Sequence, residues 1–194
     1  MTAYTVRILQ PGYSVPLGSG QIRANGTITL INGPKNIIVD TGLPKDRHAI
    51  LATLETDNLS PSDIDFVVCT HGHSDHISNN NLFPDATFIV SYDVSHGDIY
   101  TLHDFGSGAP YRIDDDVEVV ATPGHTGQDM SVLVTTEAGV IAIVGDLFEC
   151  KDDIKNEILW RSMSHFPELQ EASRRRIMAA ADFIVPGHGE MFRI

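Results

Sequence analysis

Short runs of β-type residues separated by turn signals dominate the chain, and apolar spacing of the helical kind occurs in only two places. Tyr4 to Leu9, Gly26 to Ile31 and Asn36 to Asp40 read as successive strands, with Asn32-Gly33-Pro34-Lys35 turning between the last two. Pro44 opens a helix whose apolar face is Ile50, Leu51 and Leu54, and Ser60-Pro61-Ser62-Asp63 breaks it. Phe66 to Thr70 reads as a buried strand, and further strands are predicted at Ala86 to Ser91, Val117 to Thr122, Met130 to Thr135 and Val140 to Gly145. A second helix spans Pro167 to Ala181, before a last strand from Asp182 to Val185. Strands and a helix, twice over, predict an α/β fold. Two sheets sandwiched between helix layers satisfy the pattern, and so does a plainer α/β layout. Pro11 to Gln21, Val94 to Tyr111 and Glu149 to Phe166 are expected to be long loops, the segments that tend to carry function in a compact domain.

Length and composition narrow the class. The 194 residues suit a single domain, and 42% hydrophobic with 20% charged residues is a folded rather than a disordered composition. No apolar run approaches the ~20 residues of a membrane helix, so no membrane partner is expected. Met1-Thr2-Ala3-Tyr4-Thr5 lacks a basic region followed by an apolar core, so a secretory signal is not expected either. Cys69 and Cys150 are too few for a disulfide framework and fit reduced thiols. A cytoplasmic setting, extending to the nucleus, is the expectation.

The net charge of −13 is unevenly spread. Residues 61–148 hold fourteen acidic side chains and one basic one, Arg112, so the whole deficit lies there. Such a stretch repels nucleic acid unless something neutralises it. Part of it, such as Asp114-Asp115-Asp116, reads as a solvated surface; the remainder, with nine histidines, reads as a place for cations.

The densest chemistry is Thr70-His71-Gly72-His73-Ser74-Asp75-His76, directly after the strand at 66–69. Imidazole and carboxylate are ligands for Zn²⁺ and related divalent ions, and this many buried polar groups are costly to satisfy without a cation. Three more candidates sit at strand ends beside glycine turns: His125 in Pro123-Gly124-His125-Thr126-Gly127, Asp146 after Gly145, and His188 in Pro186-Gly187-His188-Gly189. Ends of strands are where α/β proteins place their sites. Five histidines and two aspartates are enough for two ions.

The run T-H-x-H-x-D-H, followed by a distal His, an Asp and a final His, resembles the metallo-β-lactamase superfamily, from Val39-Asp40-Thr41-Gly42 to His188. That resemblance implies a single-domain αββα sandwich with a dinuclear, usually zinc, site at one sheet edge, although such ligands also accept Mn²⁺ or Fe²⁺. Carried over position by position, His71, His73 and His125 would hold the first metal, Asp75, His76 and His188 the second, and Asp146 would bridge them. Asp40 would act behind the ligands, orienting their loop. Two ions ~3.5–4 Å apart lower the pKa of a shared water towards ~7, which makes the implied activity metal-assisted hydrolysis by a bridging hydroxide. The resemblance implies Asp75 and Asp146 as its catalytic carboxylates. No Ser or Cys nucleophile is needed.

Within the superfamily the substrate varies widely. Asp146 stands where the best-known antibiotic-degrading zinc lactamases carry a Cys ligand, so that activity is not expected. Neither the extra nuclease domain of mRNA-cleaving relatives nor the helical C-terminal domain of glyoxalase II is expected. The group resembled most implies an endoribonuclease cleaving histone-coding pre-mRNA at its 3′ end; the rival is a compact thioester or lactone hydrolase. Relatives also suggest a homodimer. Lys151, Lys155, Arg161 and Arg112 lie in or beside the long loops and could steer a phosphate, whereas Arg174-Arg175-Arg176 reads as a solvated helix face. Cys69 reads as core, Cys150 as a neighbour of the pocket, and His48, His96, His103 and His165 as surface groups. Trp160 and Phe166 are expected to form an apolar wall or subunit contact, and Tyr13 to lie near the site mouth. Gly18-Ser19-Gly20 lacks the Lys and helix of a phosphate loop.

Overall fold

The computed structural model describes residues 3–194. Its first half contains β1 (Thr5–Gln10), β2 (Tyr13–Gly18), β3 (Gln21–Asn25), β4 (Ile28–Asn32), β5 (Ile37–Val39), α1 (Arg47–Thr56), β6 (Phe66–Cys69), the short α2 (Ser74–Ile77), β7 (Thr87–Val90), β8 (Asp93–His96) and β9 (Ile99–Thr101). The second half contains β10 (Tyr111–Arg112), β11 (Val117–Ala121), β12 (Met130–Thr136), β13 (Gly139–Gly145), α3 (Ile158–Arg161), α4 (Pro167–Ala180), β14 (Phe183–Pro186) and β15 (Phe192–Arg193).

Two mixed sheets result, ordered β1-β4-β5-β6-β7-β8-β9 and β10-β11-β12-β13-β14-β15. Alternation along the strands sends one set of side chains between the sheets and the other outward. Ile37, Val39, Val68 and Ile89 of the first sheet meet Val119, Val132, Ile143 and Val185 of the second in a buried middle layer. On the outer face of the first sheet, Ile38, Val67 and Cys69 pack against Ile50 and Leu54 of α1. On the outer face of the second, Ala142, Val144 and Ile184 pack against Ile177 of α4. The architecture is therefore helix, sheet, sheet, helix: the αββα alternative of the two that the strand pattern allowed.

Parallel pairing of β5 with β6, β6 with β7 and β13 with β14 aligns the carboxy ends of these strands along one edge of the sandwich. Each crossover passes over an outer face, as a parallel connection requires.

The three expected loops are more ordered than composition suggested. Residues 11–21 belong to the hairpin β2–β3, reversed at Gly18-Ser19-Gly20, where all three φ angles are positive, at 82°, 52° and 75°. Residues 94–111 add β8 and β9 to the sheet edge, and 149–166 form a 3-10 turn at Lys151–Ile154 followed by α3.

The reading of Arg174 as solvated is corrected. Its guanidinium is buried, donates to both carboxylate oxygens of Asp153 at 2.9 and 3.1 Å and to the Leu147 carbonyl at 2.8 Å, and lies over the Phe148 and Trp160 rings. Planar, fork-shaped donation of this kind is what makes a buried Arg tolerable. Arg175 pairs with Glu171, and Arg176 donates to the Ala121 carbonyl. Trp160 is likewise buried under Arg174, and forms no exposed wall.

This pair pins the 149–166 segment to α4, since Asp153 also accepts from the Glu149 amide at 2.8 Å. Replacing Asp153 with Ala leaves Arg174 buried and uncompensated. Urea unfolding of Asp153→Ala is expected to show a loss of about 3–5 kcal/mol, and a loss below about 1 kcal/mol would contradict the anchoring role.

Candidate metal centre

Each candidate ligand leaves the fold at the same edge. His71, His73, Asp75 and His76 follow β6, with α2 forming the last turn of that run. His125 lies between β11 and β12, Asp146 follows β13 and His188 follows β14. Two glycines permit the approach. Gly145 adopts φ of 53°, and a Cβ there would collide with the Thr70 side chain; a Cβ on Gly187 would collide with Asp146 Oδ1.

The seven side chains form two groups around one carboxylate. His71 Nε2 lies 2.9 Å from His73 Nδ1, which lies 3.1 Å from His125 Nε2. Asp146 Oδ2 faces this group, 3.6 Å from His71 Nε2 and 3.3 Å from His125 Nε2. Its other oxygen, Oδ1, faces the second group at 3.3 Å from both His76 Nε2 and His188 Nε2, while Asp75 Oδ2 stands 3.9 Å from His76 Nε2. The donors of His71, His73, His125 and Asp146 all lie within 4.8 Å of one another, as do those of Asp75, His76 and His188. Imidazole nitrogens directed at one another and at a shared carboxylate suit a positive centre between them. Asp146 Oδ1 and His76 Nε2 are moreover buried without a hydrogen-bond partner. These residues fit a pair of divalent ions.

Behind the donors runs a set of orienting hydrogen bonds. His76 Nδ1 meets Asp40 Oδ2 at 2.7 Å, His188 Nδ1 meets the Asn25 carbonyl at 3.0 Å, and His71 Nδ1 meets Thr70 Oγ1 at 3.2 Å. Asp40 also accepts from the Thr70 amide and hydroxyl at 2.7 and 2.8 Å, and so fixes the start of the histidine run. It holds φ of 59°, a left-handed conformation that Asp tolerates better than most residues.

The electrostatics follow from burial and crowding. Burial and the neighbouring His76 push His71 well below the usual imidazole range, and burial lowers His125 as well. Burial also opposes a charge on His76 and His188, but the Asp146 carboxylate beside them outweighs it. His76 is held well above its ordinary value, with help from Asp40, and His188 is pushed up to about 9. Burial would raise Asp146, yet His76, His188 and His71 together hold its carboxyl well below the usual carboxylate range.

One acidic residue in this group was absent from the sequence reading. Glu149 is 7% exposed, with Oε1 3.8 Å from His125 Nδ1 and Oε2 3.8 Å from His188 Nε2. Burial and the Asp146 charge raise it to about 8. The one local signal was an acid ending the otherwise apolar run after Asp146, which reading for metal spacing passes over. Glu149 and His188 line a cavity of about 230 Å³ together with Pro16, Ile22, Leu159 and Met163. Cys150 borders that cavity but belongs to neither group of donors, and Cys69 is buried core. His48, His96 and His165 are exposed, and His103 packs against Phe105 and Tyr111. Tyr13 sits on the hairpin opposite Asn25, its hydroxyl 3.0 Å from Lys45 Nζ, with Arg23 5.7 Å from the ring centre.

Comparison with known proteins agrees with this fold. The chain is 45% identical over 194 residues to metallo-beta-lactamase domain-containing protein 1 of Xenopus laevis, covering 98% of this chain and 82% of that one. Among solved structures, a Thermotoga maritima protein described as of metallo-beta-lactamase type superposes with a TM-score of 0.75 at 21% identity, covering 99% of this chain and all of that one. An N-acyl homoserine lactone hydrolase with N-hexanoyl-L-homoserine at its catalytic metal centre superposes with a TM-score of 0.68 at 18% identity, covering 91% of this chain and 88% of that one. Residues 23–188 match the family described as the metallo-beta-lactamase superfamily, and the chain belongs to it.

Proposed function

We propose that this chain is a metal-dependent endoribonuclease that hydrolyses RNA phosphodiesters at the paired donor groups around Asp146. His71, His73 and His125 would hold one ion, Asp75, His76 and His188 the other, and Asp146 both, one oxygen each. When bound, such a pair supplies a nucleophile from water at neutral pH and offsets charge on the leaving group. The protein does the rest. Asp40 fixes the ring plane of His76, Asn25 that of His188, and Asp75, the least buried carboxylate of the set, would accept a proton from the attacking water.

The observation that carries the RNA reading is Tyr13 with Lys45 and Arg23. An aromatic ring flanked by two cations suits a base and its phosphates. It sits at the root of the hairpin, where Asn25 holds His188 and the Gly26 amide donates to the Asp75 carbonyl at 3.2 Å. The loop cations contribute less than their number suggests, because Arg161 is engaged by Glu157 and Glu171, and Arg112 faces Glu118. A second reading, hydrolysis of a lactone or thioester, is favoured by the apolar walls of the cavity that His188 lines. Zinc as the ion, an RNA partner, a homodimer and a cytoplasmic or nuclear setting belong with the proposal. No helix among the described residues is long and apolar enough to cross a membrane.

Assays of metal-loaded protein on single-stranded RNA and on S-lactoylglutathione separate the two. RNA cleavage is expected, falling to background in Asp146→Ala and weakened in KM by Arg23→Ala with Lys45→Ala; thioester turnover alone would overturn the nuclease reading. In Asp40→Ala, metal affinity measured by titration calorimetry should fall roughly 10–100-fold, and an unchanged affinity would remove Asp40 from the account. Metal uptake should also release protons. His76 and His188 are both raised, so each ring keeps its proton to higher pH than a free imidazole does and must give it up to donate a lone pair. Affinity is therefore expected to rise as pH climbs towards about 9, the value for His188. Calorimetry in two buffers of different ionisation enthalpy reads the release directly, and a buffer-independent heat would contradict it.

A further inference from the structure

Four of the five histidines share a requirement. An imidazole that gives one nitrogen's lone pair to a metal carries a proton on the other, and that N–H needs an acceptor when buried. His76 has Asp40, His188 has the Asn25 carbonyl and His71 has Thr70 Oγ1. His73 is exposed, so its outer nitrogen is open to solvent. His125 differs: it is 3% exposed, and its Nδ1 is buried with no partner.

Asp129, the nearest carboxylate in the His125 loop, is already committed. Its oxygens accept from the Gly124 and Thr126 amides at 2.9 and 2.7 Å and from the Thr126 hydroxyl at 2.5 Å. The other neighbour is Glu149, whose Oε1 is 3.8 Å from His125 Nδ1 and is itself buried without a partner. At that separation the two are short of a hydrogen bond. Closing the gap would break no hydrogen bond at either atom. An unpaired donor and an unpaired acceptor, both buried and side by side, each cost free energy that their union recovers.

We infer that Glu149 is a positioning residue, its Oε1 accepting the Nδ1–H of His125 and so fixing the ring whose Nε2 faces the first group of donors. Its backbone is held for this task at both ends of the residue, the amide by Asp153 at 2.8 Å and the carbonyl by the His188 amide at 2.8 Å. Glu149 therefore links the two halves of the centre: one oxygen serves His125, and the other faces His188 in the lining of the cavity. This rests on the ligand assignment proposed above, and is independent of the substrate.

The test uses the full chain loaded with Co²⁺, whose paramagnetism shifts the ring N–H protons of coordinating imidazoles clear of the other resonances. In the unaltered protein the His125 Nδ1–H should exchange slowly with solvent. In Glu149→Ala that proton should exchange quickly and metal affinity should fall roughly 10–100-fold. Glu149→Gln, nearly the same shape with one acceptor oxygen kept, should recover most of both, and it guards against a folding defect in the Ala variant. Unchanged exchange and affinity in Glu149→Ala overturn the inference, as do equal losses in the Ala and Gln variants, which would mark an effect of charge alone. Failure of the unaltered chain to bind any Co²⁺ would instead overturn the ligand assignment, and this inference with it.

Discussion

The structure turns on one carboxylate. Asp146 is 5% exposed and stands between two groups of imidazoles, with a different oxygen turned to each. Burying a carboxylate among neutral rings is expensive, and burying charged rings beside one another is no cheaper. The arrangement suits positive charge on both sides of the carboxylate. Two divalent cations satisfy that demand at once. They would also offset part of the acidic excess of residues 61–148, to which Asp75 and Asp146 themselves contribute.

The fold supplies this convergence cheaply. Parallel strands β5, β6, β13 and β14 deliver Asp40, His71 to His76, Asp146 and His188 to one edge, and the antiparallel turn between β11 and β12 brings His125 to the same place. Side chains from such distant parts of the chain hold their positions because the middle layer behind them is closely packed and apolar. The Asp153–Arg174 pair extends that rigidity to the segment carrying Glu149. Structure and chemistry meet there, since the same residue that ends the strand-to-turn run also lies beside His125.

What could be read from the sequence was what is local. The apolar runs at 66–69 and 140–145 and the histidine run after the first needed only neighbours in sequence to be recognised, and they fell where expected. The helix from Pro44 and that from Pro167 were legible from proline and spacing; the first turn of the former is 3-10. What escaped was non-local. The hairpin β2–β3 has a proline within it and mostly exposed side chains, so its alternation carries little hydrophobic signal. Arg174 is buried because of Asp153, 21 residues earlier, a pairing that no local pattern encodes. Glu149 became visible only when the chain brought His125 and His188 to either side of it. Asp40 was found by resemblance alone, its contact with His76 spanning 36 residues.

The centre as described requires two cations sharing Asp146. Diffraction from crystals of the metal-loaded protein, recorded on either side of the absorption edge of the bound element, locates such ions directly. Two anomalous peaks per chain are predicted, one among His71, His73 and His125, the other among Asp75, His76 and His188, with an oxygen of Asp146 directed at each. A single peak, or none at full metal saturation, would contradict it.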